Sequence, residues 1–528
     1  MKVPHTDPFH KNLLNEDKVN RLLGHLKKDG NISENEYTEC YASGRSPGIL
    51  YGLPKIHKPN VPLRPVLAAY NMPSYKLAKF LVPFLEAITD CTHAVKNSYE
   101  LVGQLKNFVW RENSFMCSFD IVSLFTNIPL NETIELATNE MYKDNNMFRN
   151  LSKNKFKSML EAVCKDTYFI FNEDLYLQTD GVAMGSPMSS IFANIFLGFH
   201  EKKWLDDCPE SFKPAFYKRY VDDTLIIFNH PSHAEQFLDY PNSKHQNITF
   251  TIEKENENKI PFLDVLIDKA NKAFSIYRKP TFTGLGMSFF SHCQFKFKIN
   301  NMKTMIHRAY SLCSSYFLLH KELEFLYSFF HENGFPPSLF YREVRKFLDN
   351  IYRPCNNVPT VNKLDFYCNM PFIGTNIKIL ENELRNSLRK YYPQIKFTFI
   401  FNNKHKIGNL MPFKDRLPDA MRSGIVYLYN CPNCQVGYLG SSVRTLKTRF
   451  CQHAGISDRT GRDITVKLQS SIREHTLTCQ TRLDIDNFKI LDSCSNKKDL
   501  RILESIYIRK MKPQLNTDQS SSPLCIVD

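Results

Sequence analysis

"RYVDDTLIIF" (residues 219–228) sets two adjacent acidic residues, Asp222 and Asp223, at the head of a run that otherwise reads as a buried strand. Strand pairing and burial both disfavour charge. Two neighbouring carboxylates in an apolar setting cannot both stay ionised unless something offsets their repulsion, and a divalent cation does so. A third carboxylate, Asp120 in "CSFDIVSLF" (117–125), lies in a second apolar strand-like run. Mg²⁺ takes oxygen ligands in near-octahedral geometry, typically one or two carboxylates plus substrate phosphates. Two such ions about 3.5–4 Å apart would serve an in-line phosphoryl transfer without a covalent nucleophile from the protein. The plainer alternative makes Asp222 and Asp223 a polar hairpin tip and Asp120 a helix cap.

The rest of the chain sets the frame. Its 528 residues are enough for several cores, and 42% hydrophobic and 13% aromatic residues describe a globular protein with no long low-complexity tract. The net charge of +14 favours a polyanionic partner, with nucleic acid the leading expectation. The first residues lack the apolar core of a secretory signal, and no stretch approaches the roughly 20 apolar residues of a membrane span. The chain is therefore expected to be soluble and intracellular, with no membrane partner. Its 15 cysteines are read as reduced thiols, and the close pair Cys431 and Cys434 as a metal candidate.

The order of elements follows from periodicity and breakers. Helices are expected over 10–45 and 74–110, separated by "GLPKIHKPNVPLRPVL" (52–67), whose four prolines force extended or turn structure. A strand is expected within 114–130, then helices to about 165, a hairpin over 167–181 turning near Asn172–Asp174, and a helix opened by Gly185, Ser186 and Pro187. Strands at "ITFTIE", "IPFLDVLID" and "FSIYRKPTF" follow, and helices dominate 296–350. Residues 353–420 read as a connector with some helix at 376–391, and a last domain starts near Arg422.

Taken in order, Asp120 in a strand, the Gly-Ser-Pro helix start, Tyr-Val-Asp-Asp and "YRKP" resemble the successive blocks of a reverse transcriptase palm. The wording of "YGLPKIHKPNVPLRPVL", "FDIVSLFTNIPL", "GVAMGSPMSS" and "SIYRKPTFTG" resembles that of Penelope-like retroelements, over about residues 50–315. The resemblance implies that Asp120 and Asp222 are shared ligands of two Mg²⁺ ions, with Asp223 beside them. It implies that Phe125 is a gate against the ribose 2′-hydroxyl, so that deoxynucleoside triphosphates are preferred. Gly185, Ser186 and Pro187 match the block where template backbone and incoming nucleotide approach closely. Lys55 and Arg64, held between prolines, are candidates to clamp a triphosphate. Tyr220, Tyr277, Arg278 and Lys279 would contact the primer.

The C-terminal stretch "SGIVYLYNCPNCQVGYLGSSVRTLKTRFCQH" (423–453) gives two short tyrosine strands, then a helix with Arg449 and His453 at i and i+4 on one face. It resembles the GIY-YIG nuclease domain, although the first triplet reads "IVY" with no glycine at that register. Glu504 in "LRILESIYIRK" and Asn516 in "KPQLN" fit the later blocks. The resemblance implies that Glu504 holds one Mg²⁺, Arg449 stabilises phosphate charge, Tyr427 or Tyr438 aids water attack, and His453 assists. Cys431 and Cys434 have the separation of a zinc knuckle, which His475 and Cys479 in "REHTLTC" would complete, with His453 the competing fourth ligand.

The expected fold is thus α+β and multidomain: a right-hand polymerase with N-terminal helices and fingers (1–110), palm (111–290), helical thumb (291–352) and linker (353–420), plus a small α/β GIY-YIG nuclease domain (421–528). The family implies a retroelement enzyme that nicks target DNA and extends the 3′ end on an RNA template. It acts in the nucleus, with the chain made and its RNA bound in the cytoplasm. The alternatives are a domesticated or decayed copy that only binds nucleic acid, and a telomerase-like reverse transcriptase that is not mobile.

Overall fold

The computed structural model describes residues 1–3, 7–56, 58–143, 148–353, 364–374, 376–403, 414–464 and 470–516. The chain enters with α1 (Pro8–Lys28), which Asp7 caps by accepting the N–H of Phe9, and α2 (Glu34–Cys40), opened by a Ser33/Glu36 capping box. The proline-rich stretch forms the antiparallel hairpin β1 (Gly48–Pro54) and β2 (Leu63–Ala68), followed by α3 (Tyr75–Ile88) and α4 (Ser98–Lys106).

β3 (Phe115–Ile121) leads through the short α5 (Leu124–Asn127) to α6 (Leu130–Met141) and α7 (Lys153–Cys164). The hairpin β4 (Tyr168–Phe171) and β5 (Asp174–Leu177) turns at Asn172 and Glu173, both at positive φ, and joins the fingers in the order β2-β1-β4-β5. The Gly185 turn then starts the long α8 (Met188–Asp206). β6 (Phe216–Tyr220), β7 (Asp223–Phe228), α9 (His233–Asn242) and β8 (Phe250–Lys254) complete an antiparallel palm sheet in the order β6-β7-β3-β8.

Why "TLIIF" is apolar without alternation is now clear: both faces of β7 are covered. Ile226 and Phe228 pack with Phe119, Phe192 and Phe196 beneath the helices, whereas Leu225 and Ile227 pack with Met116, Leu101 and Phe262 on the opposite side. That second core is closed by the meander β9 (Lys259–Phe262), β10 (Val265–Asp268) and β11 (Ala273–Ile276). The stretch expected as a thumb is the three-helix unit α10 (Phe295–Leu312), α11 (Tyr316–Glu332) and α12 (Pro337–Tyr352), packed around Met302, Ile306, Phe330 and Phe340.

The stretch expected as a connector is in part a folded unit. β12 (Leu364–Pro371) and β13 (Ile395–Asn402) pair in parallel across α13 (Ile377–Tyr391), and Ile377, Phe397, Phe399 and Phe401 form its core. Parallel pairing needs such a crossover. The helix expected at 376–391 is its α13.

The C-terminal domain has the sheet order β15-β14-β16, from β14 (Ile425–Asn430), β15 (Gly437–Ser442) and β16 (Phe488–Ser493). Alternation divides β14 cleanly: Ile425, Tyr427 and Tyr429 face one core, with α14 (Leu446–Ala454) and α15 (Ser471–Thr478), and Val426 faces α16 (Lys497–Met511). The domain rests on the N-terminal helix, where Arg459 pairs with Asp17, Lys447 with Asp7 at 2.6 Å, and Met421 packs on Phe9 and Leu13. Among the described residues no helix is long and apolar enough to cross a membrane.

Candidate active sites

The strand register brings the three aspartates together. Asp120 on β3 stands opposite Asp223 on β7, and Tyr220 opposite Asp223 closes a hairpin whose turn residues are Val221 and Asp222. The turn is fixed by its neighbours: Ile121 N–H donates to Asp222 O at 3.1 Å, and Thr251 Oγ1 donates to Asp120 O at 3.2 Å. All three carboxylates therefore sit on backbone that the sheet holds rigid.

Burial, and then the charges of Asp222 and Asp120, push the Asp223 carboxyl up to about 6, against the pull of Lys279 and Lys58. Burial and Asp120 likewise raise Asp222, opposed by its own backbone and by Arg64 and Lys55. Crowded carboxylates whose protons are held above the normal range mark a candidate functional site. Their all-oxygen chemistry fits Mg²⁺.

The fingers supply the positive charge. Lys55, just after β1, and Arg64 on β2, the candidate triphosphate clamps, lower the Asp222 carboxyl. Lys58, in the same loop, comes closer still, with Nζ 3.6 Å from Asp120 Oδ2. Sequence reading missed it, because a lysine in a proline-rich loop looks like any solvated one.

The other expected residues fall in varied places. Phe125 lies on α5 beyond Ser123, which has φ of 52°, and with Leu67, Ala183 and Met184 lines a cleft of about 310 Å³. Gly185 has φ of 116°, and a Cβ there would stand 2.2 Å from Leu67 O. The close approach that demands glycine is thus made by strand β2 of the fingers rather than by a substrate. Ser186 Oγ accepts the N–H of Met188 at the start of α8, and Pro187 occupies the cap position. Tyr220 is 37% exposed beside the aspartates, Lys279 is exposed, and Tyr277 donates its N–H to Asp264 O. Arg278 is committed elsewhere: its guanidinium forks onto Glu322 of α11 and lies 3.7 Å from the Phe325 ring centre. It ties the strand after the palm to the thumb.

In the C-terminal domain Tyr427, Tyr438, Arg449 and His453 gather on one face of the sheet, and Glu504 comes from α16, which packs on the other. Arg449 Nε donates to Tyr427 Oη at 3.1 Å, and Tyr427 Oη lies 2.8 Å from His453 Nε2. His453 Nδ1 is 2.6 Å from Ser470 Oγ. Burial and the neighbouring Arg449 push His453 down to about 3, so it is neutral, and its Nε2 is free to accept the Tyr427 proton. Burial raises Tyr427 and Tyr438, with Arg449 opposing, and the charge of Glu504 reaches both. Glu504 accepts from Ser441 Oγ at 2.7 Å. Neither Ser441 nor Ser470 was signalled by the sequence, since a serine is informative only once its partner is placed.

Two glycines answer the irregular first triplet. A Cβ on Gly440 would lie 2.6 Å from Tyr427 Oη, so the ring of Tyr427 needs that bare position. At Gly424, with φ of 63°, a Cβ would stand 2.5 Å from Cys494 O. Asn516, expected among the catalytic groups, instead clamps β15, accepting Leu439 N–H at 2.8 Å and donating to Leu439 O at 2.7 Å. Both ends of its amide are used, which makes it a strut of the fold.

Cys431, Cys434, His475 and Cys479 place their ligand atoms within 4.8 Å of one another. Burial would raise the Cys431 thiol, but the N–H groups of Cys434 and Asn433 and the His475 ring outweigh it and bring it to about 5. A thiolate-prone S₃N set suits Zn²⁺. His453, the competing fourth ligand, is engaged with Tyr427 and Ser470 and stands outside the set. A further convergence, Glu132 with His200 at 2.8 Å and His245 at 3.2 Å, is of another kind. His245 Nδ1 accepts the Asn247 N–H, which puts the ring proton on Nε2 and makes the cluster a hydrogen-bonded one.

Residues 56–274 match the family described as "Reverse transcriptase (RNA-dependent DNA polymerase)". This segment is similar to reverse transcriptase domains. The match ends before the thumb, where residues 287–346 match the "Animal helix-turn-helix domain" family, over α10 to α12. No curated protein matches the chain. Among solved structures it is similar to a Candida albicans telomerase in complex with a telomeric RNA fragment (12% identity, TM-score 0.42, covering 57% of this chain and 59% of that one). It is also similar to an apo telomerase of Candida tropicalis (15%, 0.37, 70% and 60%) and to the Sicinivirus 3Dpol RNA-dependent RNA polymerase (14%, 0.37, 60% and 71%). The chain spans 56 to 60% of the length of the telomerases it matches. The functional reading rests on the carboxylate site and the matched family, not on these likenesses.

Proposed function

We propose that the chain is a retroelement RNA-directed DNA polymerase of the Penelope-like kind, which nicks DNA with a C-terminal GIY-YIG nuclease domain and extends the exposed 3′ end on an RNA template. The observation that carries the polymerase half is the convergence of Asp120, Asp222 and Asp223 beneath Lys55, Lys58 and Arg64. Mg²⁺, when bound, supplies charge neutralisation at the reacting phosphate. Asp120 would hold it from β3 and Asp222 from the turn between β6 and β7, with Asp223 adding charge at the rim. Lys55, Lys58 and Arg64 bind the triphosphate and orient it toward those strands. Phe125 fills the space a ribose 2′-hydroxyl would need, which selects deoxynucleotides. Tyr220 and Lys279 are placed to meet the primer end.

In the nuclease half, Glu504 is the carboxylate for one Mg²⁺, and Ser441 orients it. Arg449 faces the phosphate charge. Neutral His453 holds the Tyr427 hydroxyl in place by a hydrogen bond, and half-buried Tyr438 is the tyrosine nearest to water. Zn²⁺ on Cys431, Cys434, His475 and Cys479 would pin the β14–β15 turn to α15 and so hold the tyrosine strands in register.

Primer extension on RNA and DNA templates with Mg²⁺, beside a plasmid-nicking assay, tests both halves. Synthesis that disappears in Asp222→Ala while nicking persists supports the assignment. Synthesis that survives Asp222→Ala removes it, and nicking that survives Glu504→Ala removes the nuclease half.

A further inference from the structure

Beneath the aspartate turn lies a buried ionic network that the chemistry above does not use. Arg219 is fully buried (0% exposed) and Glu201 nearly so (1%). Arg219 Nε donates to Glu201 Oε1 at 2.7 Å, and Tyr217 Oη donates to the same oxygen at 2.7 Å. Arg219 Nη1 donates to Asn194 Oδ1 and to the backbone carbonyl of Val221, both at 3.0 Å. Asn194 and Glu201 belong to α8, the helix that the Gly185 turn begins.

Two features show that this is not simply a stabilising ion pair. Burying such a pair is costly, and packed apolar side chains commonly do as well for stability. Moreover, the pair is poorly satisfied as a pair: Glu201 Oε2 and Arg219 Nη2 have no hydrogen-bond partner. The guanidinium forgoes the parallel two-point grip on its carboxylate and turns one arm to the carbonyl of Val221 instead. Val221 needs that hold, because its φ of 57° is a conformation that β-branched residues rarely adopt. The next two residues are Asp222 and Asp223.

We propose that Arg219 is a positioning residue of the polymerase site: it clamps the Val221 carbonyl from below, while Ile121 N–H holds Asp222 O from the side. Together these contacts fix the angle at which Asp222 and Asp223 meet Asp120. The proposal rests on the polymerase reading above. α8 thereby links the Gly185 turn, against which the fingers strand β2 packs, to the carboxylates through a single guanidinium. Lysine cannot replace it, since an ammonium offers no planar fork that reaches Glu201, Asn194 and Val221 at once.

The test is Arg219→Lys in the full chain, alone and combined with Val221→Gly. Glycine adopts positive φ without strain, so it relieves the need for the clamp. Mn²⁺ binding is read by electron paramagnetic resonance, and DNA synthesis is read as a function of Mg²⁺. In Arg219→Lys, with an unchanged circular dichroism spectrum, Mn²⁺ affinity and kcat should each fall about 10- to 100-fold, the range seen when groups supporting metal ligands are lost. KM for deoxynucleotide and affinity for template–primer should hold. Val221→Gly on that background should restore most of the Mn²⁺ affinity. Unchanged Mn²⁺ affinity in Arg219→Lys, or a loss that Val221→Gly does not relieve, overturns the proposal. A wild type that binds Mn²⁺ in this way yet makes no DNA would refute the polymerase reading and leave the clamp standing.

Discussion

The two candidate sites bring their charged and polar groups together in opposite ways. In the palm, Asp120, Asp222 and Asp223 repel one another, and the cations above them come from a separate loop. In the C-terminal domain, Tyr427, His453, Arg449 and Ser470 are already joined by hydrogen bonds in a buried row. The palm site stores repulsion that bound metal relieves, whereas the second site is assembled before anything binds.

The sharpest way to break the contrast is to remove one carboxylate from each. Asp222→Ala should lower DNA synthesis by about three orders of magnitude or more, the scale expected when a metal's charge stabilisation is lost. Nicking should be spared, and Glu504→Ala should give the reverse pattern. If either variant abolishes both activities, the sites are not independent. Next in size is the zinc set. Cys431→Ser should lower bound zinc, measured by elemental analysis, and destabilise the C-terminal domain while leaving extension of a supplied primer intact. A wild type free of zinc would refute the site. Phe125→Ala should raise ribonucleotide use by about 10- to 100-fold, the scale of a steric contact in a pocket. Unchanged sugar selectivity would place the gate elsewhere.

The sites should also answer pH with opposite slopes. Asp223 releases its proton at about 6 in the folded state and near 3.9 when unfolded, so between these values the folded chain binds more protons. The metal-free palm should therefore lose stability as pH rises from about 4 to 6, and Mg²⁺ binding should tighten over the same window. His453 runs the other way: at about 3 folded against roughly 6.5 unfolded, it makes the C-terminal domain lose stability as pH falls through that range. Both tryptophans, Trp110 and Trp204, lie in the polymerase part, so their fluorescence reports the palm, and amide exchange reports the other domain. Parallel slopes would contradict both assignments. The smallest effect should come from Arg459→Ala, which removes a partly exposed pair with Asp17 and should cost at most about 1 kcal/mol in thermal denaturation.

The sequence was legible where it broke a rule. Asp120, Asp222 and Asp223 stood out as charges in apolar runs, and Cys431 with Cys434 as a close thiol pair. Arg219 sits in the same quoted decapeptide, yet nothing distinguishes a buried arginine from a surface one until Glu201 and Asn194 arrive from another helix. Lys58 and Ser470 escaped for the same reason: their meaning lies in a partner far along the chain. The β12-α13-β13 unit was missed because most of β12 is exposed and its pattern does not alternate. Arg278 and Asn516 show the converse, in which a residue at a motif position also has scaffold partners that the sequence could not reveal.

β7 belongs to two cores at once, Ile226 and Phe228 to one and Leu225 and Ile227 to the other. Neither core can melt while the other stays intact, because each would have to give up the same strand. The palm is thus a single cooperative unit, and its amides along 224–228 should exchange only through global opening. The polymerase site is consequently lost all at once or not at all, with no partly unfolded form in which its aspartates are merely loosened.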